Sequence, residues 1–231
     1  EISCSLVGSE MCIRDRSMLN TNLDLAITDY VTVDFNAIIE CVDLLGGVDI
    51  TITDDEASLM IGYMKELNEL TGHNSTPPAS GGTYTLDGVQ ACAYARIRYG
   101  GGDDYRRTER QRTVLTAMMQ KAQKSNILTL NKLINAAFGD IQTSFSNTDL
   151  LALATKVFSY DIGDTTGFPY EKTTHKYDKI GDVVIPCDLA SNVTQLHQFL
   201  FNDENYTPSA TVLSNSQQII SNTGYKQGDG H

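Results

Sequence analysis

Residues 30–53 read YVTVDFNAIIECVDLLGGVDITIT, and the change of hydrophobic period within this stretch decides the fold class. Tyr30 to Phe35 alternates and is rich in β-branched and aromatic side chains, which predicts a strand. Asn36 to Leu45 then sets Ile38, Ile39, Val42 and Leu45 on one face of a helix, and Gly46-Gly47 stops it. Val48 to Thr53 alternates again, with Val48, Ile50 and Ile52 facing one way. Strand, helix and strand in direct succession are the mark of an α/β arrangement.

The chain downstream continues the alternation. Asp54-Asp55-Glu56 supplies a cap and first-turn acids for a helix to about Leu70. His73 to Gly82 (HNSTPPASGG) has loop composition, and its Ser and His are better read as surface residues than as a nucleophile and base. Tyr84 to Gly88 reads as a strand end and turn into a short helix, Val89 to Tyr94. Asp103 or Asp104 can cap a helix running to about Lys124. Ile127 to Phe138 predicts another, and Thr148 to Phe158 a third, capped by Asn147 or Thr148. Phe168 to Pro186 turns β-like, and Leu189 to Phe201 closes the series as a helix whose His197 reads as structural. The polar stretch 215–231 reads as a frayed tail. The expectation is an α/β domain over 17–214 with helices on both faces of a sheet. Only two strands are convincing in its first half, fewer than a parallel sheet needs.

Composition narrows the function classes. A formal net charge of −12 over 231 residues disfavours general adhesion to nucleic acid or anionic lipid. No apolar run approaches the ~18 residues of a membrane span, and the start lacks the basic and apolar regions of a signal peptide. Cys4, Cys12, Cys41, Cys92 and Cys187 are scattered without metal-ligand spacing, so a disulfide framework is not expected. Residues 1–16, EISCSLVGSEMCIRDR, show no periodicity, cap or turn logic. Leu6 to Asp15 can be written in codons that resemble a transposon-end adapter used for sequencing libraries. The expectation is a non-native leader ahead of a C-terminal fragment.

Against this acidic background, Tyr94 to Arg112 (YARIRYGGGDDYRRTERQR) holds Arg96, Arg98, Arg106, Arg107, Arg110 and Arg112, every arginine outside the leader. A guanidinium is a planar fork of donors matched to carboxylate and phosphate oxygens. Cations in the first turns of a helix oppose its dipole, at roughly 0.3–1 kcal/mol each. The arrangement is sensible if an anion sits there, held by backbone N–H groups and arginine forks together. Arg107 and Gln111 are one turn apart, and Arg96 and Arg98 point the same way if 95–99 is extended. These four converge on one ligand if the glycines between them act as a hinge, with Asp104 orienting an arginine or capping the helix. Arg110 and Arg112 fall elsewhere and read as solvated. The competing reading is a solvated basic face. The triglycine is no Walker loop, since the closing Lys and Ser/Thr are absent.

LDGVQACAYARIR followed by DDYRRTERQR resembles the signature of the LytR–CpsA–Psr family, and residues 30–52 resemble the strand–helix–strand that precedes it. The resemblance implies a three-layer α/β/α sandwich with a mixed central sheet, here incomplete at the N-terminus. It implies a phosphotransferase on the extracytoplasmic face of the bacterial membrane. Such enzymes move a glycopolymer of teichoic acid or capsule type from a polyprenyl-pyrophosphate carrier onto peptidoglycan, with Mg2+ or another divalent metal. By position in the signature, Arg96, Arg98, Arg107 and Gln111 would hold the lipid pyrophosphate, supported by Asp104. The family's acidic metal ligands and N-terminal membrane anchor have no counterpart in this sequence, which leads to an expectation of weak binding and no turnover. A non-catalytic polyanion-binding or regulatory module is the alternative. No nucleic-acid partner is expected.

Overall fold

The computed structural model describes residues 4–98, 104–126, 128–130, 132–133, 141–160, 163–178 and 181–230. By its internal contacts the chain divides into two compact units, Val31–Gly163 and the pairing of Glu1–Tyr30 with Asp164–His231.

In the unit Val31–Gly163, β1 (Val31–Val33) leads into α2 (Phe35–Leu44), β2 (Val48–Ile52) and α3 (Asp54–Thr71). After the loop come β3 (Gly82–Leu86), α4 (Gly88–Arg96) and α5 (Asp104–Lys124), then β4 (Ile141–Thr143) and α6 (Asn147–Thr155). The alternation of residues 48–52 is realised in full: Val48, Ile50 and Ile52 are buried while Asp49 and Thr51 face out. Each buried aliphatic contributes about 1.5–3 kcal/mol relative to exposure. They pack with Ile39 and Val42 of α2, Met60, Met64 and Leu67 of α3, and Val89 and Cys92 of α4 in one core. β2 pairs antiparallel with β3, Val48 opposite Leu86 and Ile50 opposite Tyr84.

The sequence expectation of α/β holds as a mixture of helix and strand. The single mixed central sheet is not what pairs among the described residues. There the strands form three antiparallel pairs: β1 with β4, β2 with β3, and Lys172–Tyr177 with Gly181–Pro186. The reason lies in the connection: the loop after α3 returns β3 beside β2 in the opposite sense.

Helix ends follow local chemistry. Thr53, not the acids behind it, caps α3, and Glu56 reaches back to the Thr53 N–H at 3.0 Å in a capping box. Asp87 and Gln90 form the same box at α4. Ser146, one residue ahead of the expected cap, and Asp149 exchange bonds at the start of α6. Gly88 is the close-packing point of the unit, since a Cβ there would lie 2.3 Å from the Ile39 carbonyl oxygen. That contact seats the start of α4 against the α2 backbone and so aims the far end of α4, where the arginines begin.

In the second unit, α1 (Cys4–Leu23) covers the stretch read as a leader, and its described core contacts come from Leu19 and Leu23, beyond that stretch. A hairpin of β5 (Lys172–Tyr177) and β6 (Gly181–Pro186) precedes α7 (Leu189–Phe201) and α8 (Ala210–Thr223). The last helix corrects the frayed-tail reading over residues 215–223. Ser209 caps it, Val212 and Ser216 are buried one turn apart, and Gly224 ends it in a left-handed conformation. His197 is structural, as expected. Its ring donates through Nε2 to the Leu23 carbonyl at 2.8 Å and stacks on Tyr206 at 3.7 Å. Fully buried Asn192 accepts from the amides of Tyr170 and Glu171 and donates to three carbonyls.

Candidate anion site on the arginine segment

Arg96 closes α4 as its last-turn base, so it belongs to a helix and not to the extended run expected over 95–99. Ile97 then turns extended (φ −54°, ψ 125°) with its side chain fully buried. The Arg96 guanidinium lies 4.7 Å from the Phe35 ring centroid and 5.6 Å from that of Tyr63. Its Nη2 is 3.2 Å from both carboxylate oxygens of Glu66. Stacking on aromatic faces leaves the in-plane donors to bond sideways. Nη1 is buried and has no hydrogen-bond partner among the described residues. A buried unpaired donor costs about 1–3 kcal/mol, so this atom is a reason for a ligand oxygen to be there.

Arg98 is tied to the same aromatic residue through its backbone: its N–H donates to the Tyr63 hydroxyl at 3.2 Å, while its side chain is exposed. Tyr63, Phe35 and Glu66 are therefore parts of the site that sequence reasoning missed. Tyr63 and Glu66 lie on the helix read from its cap and first-turn acids, and nothing in their spacing announces an arginine partner. On α5, Arg107 is half-buried and Gln111 exposed, one turn apart as expected. Asp104 opens that helix. The glycine hinge falls outside the described residues. The structure thus brings Arg96 and Arg98 together on Tyr63 and keeps Arg107 with Gln111 on α5.

Arg110 overturns the reading of it as solvated. It is 6% exposed, its Nε donates to Glu56 at 2.8 Å and its Nη1 to the Ile97 carbonyl at 3.2 Å. A stripe of Arg110, Val114, Ala117 and Met118 faces the core, and that i, i+4, i+7, i+8 spacing was the available signal. Beside this pair lies a cleft of about 400 Å³ lined by Glu56, Tyr94, Arg106, Glu109, Arg110 and Thr113. None of Arg96, Arg98, Arg107 and Gln111 lines it. Burial, reinforced by Glu56, pushes the Tyr94 phenol up against the opposing pull of Arg110.

Cys92, one turn before Arg96, is no nucleophile: burial pushes its thiol up to about 12, with Arg96 pulling down and Asp34 pushing up. Cys41, Cys92 and Cys187 are all free thiols. Among the described residues no three His, Cys, Asp or Glu side chains gather into a set able to hold a metal ion. The chemistry that the described part of this segment offers an anion is that of guanidinium forks.

The LytR_cpsA_psr family matches residues 3–179 of this sequence. The chain belongs to that family. Over 124 residues it is 30% identical to Biofilm regulatory protein A of Streptococcus mutans, and over 140 residues 29% identical to the polyisoprenyl-teichoic acid–peptidoglycan teichoic acid transferase TagV of Bacillus subtilis. These alignments cover 53% and 57% of this chain but only 29% and 32% of the relatives, so the chain spans about a third of their length. The fold is similar to that of a protein described as a transcriptional regulator from Enterococcus faecalis (TM-score 0.66, 19% identity, 96% of this chain and 76% of that one). It is also similar to TagT bound to LIIa-WTA (TM-score 0.52, 20% identity, 89% of this chain and 65% of that one). In this LytR_cpsA_psr chain the family match takes in β1 to β3, α4 and α5, the elements that carry the arginine segment. No described helix is long and apolar enough to cross a membrane.

Proposed function

We propose that this chain carries the pyrophosphate-binding part of a phosphotransferase that attaches a glycopolymer of teichoic acid or capsular type to peptidoglycan from a polyprenyl-pyrophosphate carrier. The observation that carries the reading is the buried Nη1 of Arg96, which has no hydrogen-bond partner among the described residues and belongs to a guanidinium held against aromatic rings. The names of the TagV and TagT relatives support the substrate class. In this reaction an acceptor sugar hydroxyl attacks the phosphorus that bears the glycopolymer. A new P–O bond forms, the P–O–P bridge breaks, the lipid monophosphate leaves with the electron pair, and the hydroxyl proton is released to base or solvent. Arg96, Arg98, Arg107 and Gln111 hold the pyrophosphate oxygens, with Asp104 supporting them. Fixed donors of this kind stabilise charge that grows on the leaving phosphate as the bridge breaks.

The site would work at the extracytoplasmic face of the membrane, where lipid-linked glycopolymer and peptidoglycan meet. In this reading the chain by itself binds pyrophosphate lipid weakly and does not turn over. Magnesium-dependent transfer by residues 17–231 alone would contradict that.

A second reading, a regulatory module that binds polyanions without chemistry, is favoured by the regulator names of two relatives. Titration of this chain with a short polyprenyl pyrophosphate, the matching monophosphate and inorganic polyphosphate separates the two. The transferase reading predicts preference for the pyrophosphate lipid at 150 mM salt. Equal binding of every polyanion, falling steeply with salt, would support the regulatory reading instead.

A further inference from the structure

Arg110 is not among the residues assigned to the ligand, yet it grips the backbone between two of them. Its Nη1 holds the carbonyl of Ile97, which stands between Arg96 and Arg98. Ile97 is fixed at two more points: its N–H bonds to the Tyr94 carbonyl at 3.3 Å, and its fully buried side chain lies in the core. The other end of the Arg110 fork is anchored as firmly. Glu56 Oε1 accepts from Nε at 2.8 Å, while Glu56 Oε2 accepts the Thr53 N–H at the start of α3. One guanidinium therefore ties α5, the capped end of α3 and the Arg96–Arg98 backbone together.

We propose that Arg110 is a positioning residue for the anion site, setting where Arg96 and Arg98 stand relative to Arg107 and Gln111. This rests on the pyrophosphate reading above. A fork is required because the two acceptors lie on different elements; the ammonium of lysine is a point charge on a flexible stem and does not reproduce that fixed geometry. A merely structural ion pair would behave otherwise. Replacing both partners of a buried pair with apolar residues of similar volume often restores stability, and binding would then return with it.

The test uses the full chain, inorganic pyrophosphate as probe, and calorimetric affinity with amide hydrogen exchange as readouts. The parent is expected to bind. The Arg110→Met/Glu56→Met double variant is expected to keep core amide protection while losing about tenfold in affinity, through misplacement of the ligand arginines, with faster exchange at the Arg98 amide. Arg110→Lys serves if the double variant fails to fold, with the same loss expected. Parent-like affinity in whichever of the double variant and Arg110→Lys is folded overturns the positioning role alone. Absence of binding by the parent overturns the pyrophosphate reading and this role with it.

Discussion

At the scale of single residues, burial separates reactive from inert groups. Cys92 lies in the core one turn from Arg96, and its thiol is pushed up to about 12. Iodoacetamide at pH 8 should therefore leave Cys92 unmodified in the folded chain and label it only in denaturant, as peptide mass mapping would report. Asp24 is the opposite case. Burial works to raise its carboxyl, but bonds from the Tyr206 hydroxyl at 2.5 Å and the Ser209 amide and hydroxyl at 2.8 and 2.7 Å, with His197 nearby, hold it below the ordinary range. A carboxyl depressed on folding adds stability that is fully present above its unfolded pKa of ~3.9 and is lost as pH falls through the lower folded value. Asp24→Asn should flatten that acid limb of the unfolding curve and leave the slope above pH 5 unchanged. Asp24→Ala, which strands the Tyr206 hydroxyl, should cost about 1–3 kcal/mol at neutral pH by chemical denaturation.

At the scale of elements, the sequence was most legible where one period ran uninterrupted. The alternation of β2 and the extents of α3 and α7 are local signals, and the structure reproduces them. α8 was hidden because Ser, Asn and Gln dominate it, so its short buried stripe of Val212 and Ser216 was outvoted by composition. Arg110 was misread for a related reason: charge type was weighed ahead of its place on the stripe with Val114. Tyr63 and Phe35 could not have been found, since their contacts with Arg96 join three helices across sequence separations that carry no pattern. The α2–α4 crossing at Gly88 is the element most exposed to a single change. Gly88→Ala places a Cβ against the Ile39 backbone, where no flexible side chain can give way. It should destabilise by about 1–3 kcal/mol as overpacking does, and should weaken pyrophosphate binding because α4 carries Arg96.

At the scale of the whole molecule, an acidic chain of net charge −12 gathers six of its eight arginines in one segment and holds one of them on aromatic rings, with a buried donor that has no partner among the described residues. The geometry around Arg96 says why arginine stands there. A charge alone would not suffice at Arg96: stacking between Phe35 and Tyr63 and bonding to Glu66 use the planar guanidinium, and the remaining Nη1 is what a phosphate oxygen would meet. The direct measurement is the affinity of the full chain for a short polyprenyl pyrophosphate at 150 mM salt, parent against Arg96→Lys. Loss of roughly tenfold or more in Arg96→Lys, at unchanged thermal stability, is the predicted result for a site that needs the fork. Equal affinity in the two proteins would contradict it.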